Sequence, residues 1–519
     1  MKCETLRSRD GDTTVRVDGK SLHSTFSPRR EAERMAARFN LDPGASTILV
    51  LGEGVPYLSA QLNDTYQHIA VIAITIGDAG SAPEEVRRIP VPGSSGGDEI
   101  TRTVRRHLRN RIHPLDAGRV QAFVWPPAEE CAPSWCDAVR TGVIAALRDL
   151  QSEVATIGSF GALWIGNALR RTVVTDTRGD VTIRGPLVVA GAGPSLPEAI
   201  RFVQGARQPA PAVIAASSAV APLIARGVVP DLVFHSDAGF WAQRYRREVP
   251  PEAVPTALPL RAAPRPGSGG RDENAIFLRN GWFGESLAPD RAEWSPGVEA
   301  PTVVGEMIEY VLRYVPPTRI DLVGVDLCSR DLRSHAAKHE NDRYLATTAH
   351  RLLPEHTIRA LRSGYLTDPA PLRWRDGSAA FRTEALHAFA AHLDQQIARL
   401  QTRHTLEDPV PSPARPSLLH RDRPAGTTGP QTERETSAVT VRTIRRPSRS
   451  DRLRHAIRTL SAWEERLDAP SDDIERRDIV LHLAPVEALR EHIDDGGRVA
   501  SKQRARAGIA RFRRWLRDG

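Results

Sequence analysis

The sequence predicts an α/β protein. A Rossmann-like N-terminal domain precedes a central doubly wound domain, and a C-terminal helical appendage follows a disordered linker. Three observations carry the prediction. Short apolar runs alternate with helical stretches along residues 46–150 and again along 186–400. Their apolar residues fall at successive positions, as in parallel strands buried on both faces. Beyond residue 400 this rhythm stops, and helical spacing returns only after Ser450.

Residues 1–45 are read as an N-terminal extension. In the domain 46–150, Thr47–Leu51 is a buried strand broken by Gly52-Glu53-Gly54, Tyr57–Asn63 a helix, and His68–Ile76 a second strand. Glu99–Asn110 is helical, Val120–Trp125 a third strand, and Ser134–Leu150 another helix. Residues 151–185 connect the domains, mainly through a helix Gln151–Arg171 with Trp164 and Asn167 one turn apart.

The central domain, 186–400, opens with strand Leu187–Ala190, a tight turn at Gly191–Ser195 and helix Leu196–Gln204. Strand Ala212–Ala215 meets a small-residue loop at Ser217 and Ser218, followed by helix Ala219–Ala225. Strands follow at Leu232–His235, Thr256–Leu260 and Ala275–Leu278, and helix Val303–Tyr314 leads into strand Arg319–Gly324. Phe381–Leu400 is an amphipathic helix with Phe389, Leu393, Ile397 and Leu400 on one stripe. Residues 401–450 hold seven prolines and nine arginines with little aliphatic periodicity, the mark of a disordered linker. Residues 451–519 are read as basic helices.

Composition bounds the function. The chain has 519 residues, too many for one ordinary core, and a hydrophobic fraction of 40%, normal for a folded protein. No apolar run reaches the ~18 residues of a membrane-spanning helix, and no apolar segment near Met1 resembles a secretion signal. Four cysteines form neither a disulfide framework nor a paired metal motif. A cytoplasmic protein with reduced thiols is expected. The net charge is +8, but only four of the 71 basic residues are lysine, a bias that fits GC-rich coding. No nucleic-acid motif accompanies the charge, so a nucleic-acid partner is not expected.

Three segments could carry chemistry. In Gly191-Ala192-Gly193-Pro194-Ser195, a strand ends in Gly-x-Gly and enters a helix. Backbone N–H groups and the helix dipole there would seat a phosphate, although the same residues also suit a plain strand-to-helix turn. The third Gly of a dinucleotide motif is replaced by Leu196. Asp237 follows strand Leu232–His235 at the edge where open α/β sheets bind ligands, whereas Asp231 suits a turn. Asp326 holds the equivalent place after the last strand, and the loop beyond it carries His335, Lys338 and His339. An imidazole there could act as a general base, or be a solvated surface group. No metal-ligand spacing occurs among the 16 histidines.

These segments resemble a known family. GAGPSL at Gly191–Leu196, Ser217-Ser218, GVVPDLVFHSD at Gly227–Asp237 and LVGVDL at Leu322–Leu327 are similar, in that order, to the MptE-like family. It comprises archaeal 6-hydroxymethylpterin diphosphokinases and bacterial motility accessory factors. The likeness is specific over about Gly185–Ala346 and looser before it. An N-terminal Rossmann-like domain and a helical C-terminal region make the chain look like the second branch, and Trp164-Ile165-Gly166-Asn167 resembles a helix preceding its central domain.

The resemblance implies a sialyltransferase-like central domain and transfer of a CMP-activated nonulosonic acid to Ser/Thr of a protein, flagellin or another acceptor. By it, Gly193 and Ser195 would contact the cytidine phosphate; Gly191, Pro194, Ser217, Ser218, Asp237 and Asp326 are read as nucleotide-binding beside them, and Asp237 as catalytic together with His335. Asp237 would lie at the sugar and His335 would be the base. No cofactor is expected. Two other readings stand beside this one: ATP-dependent diphosphoryl transfer to a pterin, with Asp237 and Asp326 around Mg²⁺, and a non-catalytic flagellar assembly factor. The sequence places the anion site at Gly191–Ser195 and not at Gly52–Gly54, where Glu53 would repel phosphate.

Overall fold

A computed structural model describes residues 1–77, 86–206, 210–247, 249, 254–269, 271–272, 274–363, 372–374, 376–407, 438–491 and 495–518. The chain forms two units. One comprises residues 1–161 and 463–510, the other 162–462 and 511–519.

The first unit begins with β1 (Cys3–Arg7), β2 (Thr13–Val17) and β3 (Lys20–Ser21), a small antiparallel sheet, followed by α1 (Pro28–Ala36). The Rossmann-like part runs β4 (Thr47–Glu53), α2 (Tyr57–Thr65), β5 (Ala70–Ile76), β6 (Arg87–Val91), α3 (Gly97–Arg109), β7 (Val120–Val124) and α4 (Pro126–Cys131). Its four strands are parallel, in the order β6-β5-β4-β7. Every residue of β4 is buried, as a central parallel strand requires.

The extension 1–45 is part of this unit's core. Val15, Val17, Leu22 and Ala32 are buried with Ile48, Leu51 and Trp125. Next, α5 (Pro133–Val174) is one continuous helix where two were expected, because no breaker separates Leu150 from Gln151. Its Gly161 has a packing reason: a Cβ there would lie 2.8 Å from the His482 Cα.

The second unit runs β8 (Thr177–Arg184), β9 (Leu187–Ala190), α6 (Leu196–Ala206), β10 (Ala212–Ala216), α7 (Val220–Ile224), β11 (Leu232–Phe234), α8 (Phe240–Tyr245), β12 (Thr256–Pro259), β13 (Ala275–Arg279), β14 (Ser295–Pro296), α9 (Val303–Tyr314) and β15 (Arg319–Val323). Then come β16 (Ser329–Arg330), α10 (Glu340–Thr348), α11 (Glu355–Ser363), β17 (Leu372–Arg373), β18 (Ala379–Phe381), α12 (Glu384–Arg403), β19 (Thr405–Glu407) and β20 (Ala438–Arg445).

Eight strands form one sheet in the order β14-β13-β12-β11-β10-β9-β15-β19, all pairs parallel. Alternate residues feed two cores. Leu187, Val189, Ile214 and Leu322 meet Met307, Ile308 and Ile397, while Val188, Ala190, Ala215 and Val323 meet Leu196, Ala199 and Leu223. The sheet is doubly wound, as expected. Strand order reverses between β9 and β15, which makes the crevice beyond their C-terminal ends the topological switch point.

The linker expectation needs correction at both ends. Residues 408–437 lie outside the described residues, but Thr405–Glu407 adds a sheet strand, and β20 pairs with β8 over eight residues. Arg446 is buried in a bidentate pair with Asp290 at 2.8 Å. The C-terminal helices are α13 (Arg449–Arg466), α14 (Ile474–Leu483), α15 (Pro485–Arg490) and α16 (Asp495–Asp518). They are no separate appendage, since residues 463–510 belong to the first unit and the others to the second.

Candidate active site

The glycine turn after β9 works by close approach. Gly191 N–H donates to Val323 O at 2.9 Å and Gly193 N–H to Gly324 O at 2.7 Å. A Cβ on Gly193 would lie 2.3 Å from Asp326 Oδ2, and one on Gly191 would lie 2.5 Å from Gly324 O. Gly324 itself adopts a φ of +62°, open mainly to glycine. These glycines join the ends of β9 and β15.

Asp326 is buried and faces inward. Its Oδ2 accepts from Ser195 N–H at 2.7 Å and its Oδ1 from the Ser195 hydroxyl at 2.6 Å. The first turn of α6 therefore already holds a carboxylate in the seat expected for a phosphate. The N–H groups of Gly191, Gly193 and Ser195 are all committed within the protein, and Pro194, partly exposed, has none. Asp326 shapes the turn from beneath.

Neighbouring strand ends bring up the other expected residues. Ser217 is buried, its hydroxyl 2.9 Å from His235 Nδ1, and Ser218 is partly exposed. Burial, and then the Arg246 and Arg171 charges, hold His235 well below the usual imidazole range. Asp237 is exposed, with Oδ1 accepting from Gly239 N–H at 3.0 Å. Its carbonyl accepts from Ala263 N–H at 2.9 Å.

A buried knot fixes that strand end. Arg171 donates to Asp272 Oδ2 at 2.9 Å and to the carbonyls of Leu260, Ala262 and Ala263, while Arg246 takes Asp272 Oδ1 at 2.7 Å. The two guanidiniums hold the Asp272 carboxyl well below its ordinary range despite burial, which acts the other way. Asn167 donates to Arg261 O at 3.1 Å, and the Arg261 guanidinium lies 4.7 Å from the Trp164 ring centroid. The Trp164–Asn167 turn thus grips the 260–263 loop that in turn holds Asp237.

His335 lies partly buried beyond β15. Its ring stacks on His339 with centroids 4.0 Å apart, and its Nδ1 is 2.9 Å from the Ser334 hydroxyl. Burial pushes its pKa down to about 4, away from the near-neutral value that suits a general base. His339 is fully buried, and its Nδ1 caps α10 by accepting from Asn341 N–H at 3.1 Å. The sequence thus places His335 at this edge correctly, but its environment weakens the imidazole as a base.

Sequence reasoning missed several groups here. Tyr245 lies 5.1 Å from His339 between ring centroids, and burial, then Asp237, raises its phenol to about 12. Trp241 and Tyr344 meet edge to face at 5.0 Å, and Arg244 pairs with Glu340 at 2.8 Å. Glu306, in the first turn of α9, is buried near Ser236. Only the run Phe240-Trp241-Ala242-Gln243-Arg244-Tyr245, aromatic beside a strand end, could have flagged part of this from sequence.

The first unit's equivalent turn is sealed. Glu53 is fully buried, caps α2 through Leu58 N–H at 2.7 Å and Ser59 N–H at 3.2 Å, and binds the Ser59 hydroxyl. His23 Nε2 accepts from Gly54 N–H at 3.1 Å and Val55 N–H at 3.0 Å. Both groups occupy the place where a Rossmann-like unit would take a phosphate.

The family match falls within the second unit. Residues 169–331 match the MptE-like family, described as 6-hydroxymethylpterin diphosphokinase MptE-like. The MptE-like segment contains the glycine turn, Ser217, Asp237, the Arg171 knot, Glu306 and Asp326. An uncharacterized protein of Treponema pallidum (strain Nichols) is 27% identical over 171 residues, which is 33% of this chain and 37% of that protein. The match thus spans well under half of that relative's length. The structure of MAf glycosyltransferase from Magnetospirillum magneticum AMB-1 is similar at a TM-score of 0.51 and 13% identity, covering 99% of this chain and 91% of that one. At that identity the likeness is one of fold, and it agrees with the motility accessory factor branch. Among the described residues no helix is long and apolar enough to cross a membrane, and no cluster of three or more His, Cys, Asp or Glu is arranged to hold a metal.

Proposed function

We propose that this protein is a glycosyltransferase that moves a nonulosonic acid from a CMP-activated donor to a Ser/Thr hydroxyl of a protein, with flagellin as acceptor. The observation that carries the reading is the MptE-like match lying across a switch-point crevice within a fold like that of MAf glycosyltransferase. At that crevice Asp237 is the most exposed member of the expected set, with Gly193, Pro194, Ser218 and His335 partly exposed. Asp237, an acceptor of hydrogen bonds held by the 260–263 loop, would orient sugar hydroxyls. The departing phosphate would be met mainly by side chains around the edge, since the N–H groups of Gly191, Gly193 and Ser195 are spent.

Diphosphoryl transfer is the second reading, favoured by the family's description. It would draw Asp237 and Asp326 together around Mg²⁺. Asp326 is instead bound to Ser195, which weighs against that arrangement.

A thermal-shift screen of CMP, CDP, ATP and GTP, with and without Mg²⁺, tests the choice. A ligand at a hundredfold its Kd should add ~2.7 kcal/mol. Stabilisation by CMP without metal supports the transferase. Stabilisation by ATP only with Mg²⁺ supports the kinase, and no response to any of the four favours a non-catalytic assembly factor.

A further inference from the structure

We propose that Glu306 is the proton-exchanging group of this site, taking the proton from the acceptor hydroxyl as the glycosidic bond forms. The proposal rests on the glycosyl-transfer reading. Helix α9 leads into the N-terminal end of β15, so its first turn stands at the C-terminal edge of the sheet, where Asp237 also lies. The Glu306 carboxyl lies close enough to Ser236, the residue before Asp237, and to the backbone of Ala300 for both to favour its charged form. It lines a cavity with Asn280, Pro296, Gly297 and Tyr310. Asn280 Oδ1 is buried at that cavity with no hydrogen-bond partner among the described residues, an acceptor that a ligand hydroxyl would satisfy.

The surrounding charges leave Glu306 without an ion-pair partner among the described residues. Arg261, from the loop after β12, acts on it from a distance and is paired with Glu299. On α9 itself, Glu309 is taken by Arg399 at 2.6 Å and by Gln396 of α12 at 3.1 Å. Arg313, Tyr310 and Tyr314 line the cavity further along, and β13 contributes Leu278 ahead of the uncharged Asn280. Burial, opposed in part by Ser236 and Arg261, raises Glu306 to about 8, so its carboxylate is a stronger base than the His335 imidazole.

The step balances simply. The acceptor oxygen bonds to the anomeric carbon as the bond from that carbon to the donor's phosphate oxygen breaks with its electron pair. The hydroxyl proton passes to the Glu306 carboxylate, and the nucleotide leaves as an anion.

Glu306→Gln keeps the size and polarity of the side chain, so the full-length variant should fold. With CMP-sialic acid as probe donor and purified flagellin as acceptor, wild-type turnover should rise with pH through about 8. The variant should lose that limb and about 100-fold or more in turnover, with CMP affinity by calorimetry nearly unchanged. Carbon-13 carboxyl spectra of glutamate-labelled protein should show one group titrating near pH 8 in the wild type and absent from the variant. Survival of the limb in the variant, or no such titration in the wild type, would overturn the role of Glu306 alone. No turnover by the wild type with any nucleotide sugar would instead overturn the transferase reading, and the chemical step with it.

Discussion

Asp326 and Glu53 show how much one carboxylate decides at the head of a helix. Each sits where an anion would be welcome, and each answers the helix's free N–H groups from within the chain. Gly193→Val would force a side chain into Asp326 and Gly324, so it should lower stability by about 1–3 kcal/mol in thermal unfolding, quite apart from any ligand. Loss of nucleotide binding in that variant would therefore not by itself locate a phosphate. Glu53 makes a pH prediction with a definite sign. Burial raises its pKa from 4.5 to about 7, so between those values the folded state binds a proton that the unfolded chain has released. Its contribution is present below about pH 4.5 and fades as pH rises to 7. The stability difference between wild type and Glu53→Gln, followed by denaturant titration, should fall by about 3 kcal/mol from pH 4 to pH 8. A flat difference would mean that Glu53 stays ionised in the folded protein.

At the scale of elements, the N-terminal sheet and β20 are the segments whose roles depend on distant partners. His23 is buried, with its pKa pushed down to about 4, and as a neutral ring it accepts two backbone N–H groups. His23→Ala should cost about 2–4 kcal/mol, because Gly54 and Val55 would keep buried donors with no acceptor. The cost would appear in chemical unfolding followed by Trp125 fluorescence, since the Trp125 indole donates to Leu22 O at 2.7 Å. The β20 pairing makes a second claim. Once the chain is cleaved anywhere between β19 and β20, the C-terminal piece should stay bound, because β20 stays paired with β8 and Arg446 with Asp290. Separation of the fragments in native size exclusion would refute this. Arg446→Ala should cost about 3–5 kcal/mol by leaving Asp290 buried and unpaired.

For the molecule as a whole, arginine is structural as well as abundant. Arg171, Arg246, Arg446, Arg452 and Arg476 are all nearly inaccessible and hold carboxylates, carbonyls or both. Codon bias accounts for how common the residue is, not for these positions. The guanidinium fork reaches several acceptors at fixed angles, which a lysine ammonium does not. Arg171→Lys should therefore cost about 2–4 kcal/mol by leaving loop carbonyls unmet, whereas Arg102→Lys on the exposed face of α3 should be near neutral. Equal effects from the two substitutions, by thermal melting, would show that the forks add nothing beyond charge.

The alternation of strands and helices over 46–150 and 186–400, and with it the parallel, doubly wound sheet, can be read directly from the order of residues. Those features are written in the spacing of neighbouring side chains, since period and breaker residues act within a few positions. The order of residues also placed Ser218, Asp237 and His335 at the sheet's C-terminal edge, because an element's direction fixes which end each loop occupies. What those residues meet depends on the folded chain. Ser195 and Asp326 lie 131 residues apart, and no local pattern says that one would cap the other's helix and fill the expected anion seat. Residues 1–45 and 438–446 carry weak patterns of their own, yet both are ordered by strands and buried groups supplied from elsewhere. The titration of His335, Glu53 and Glu306 was equally hidden, because burial, the largest cause of each shift, exists only once the chain has closed around them.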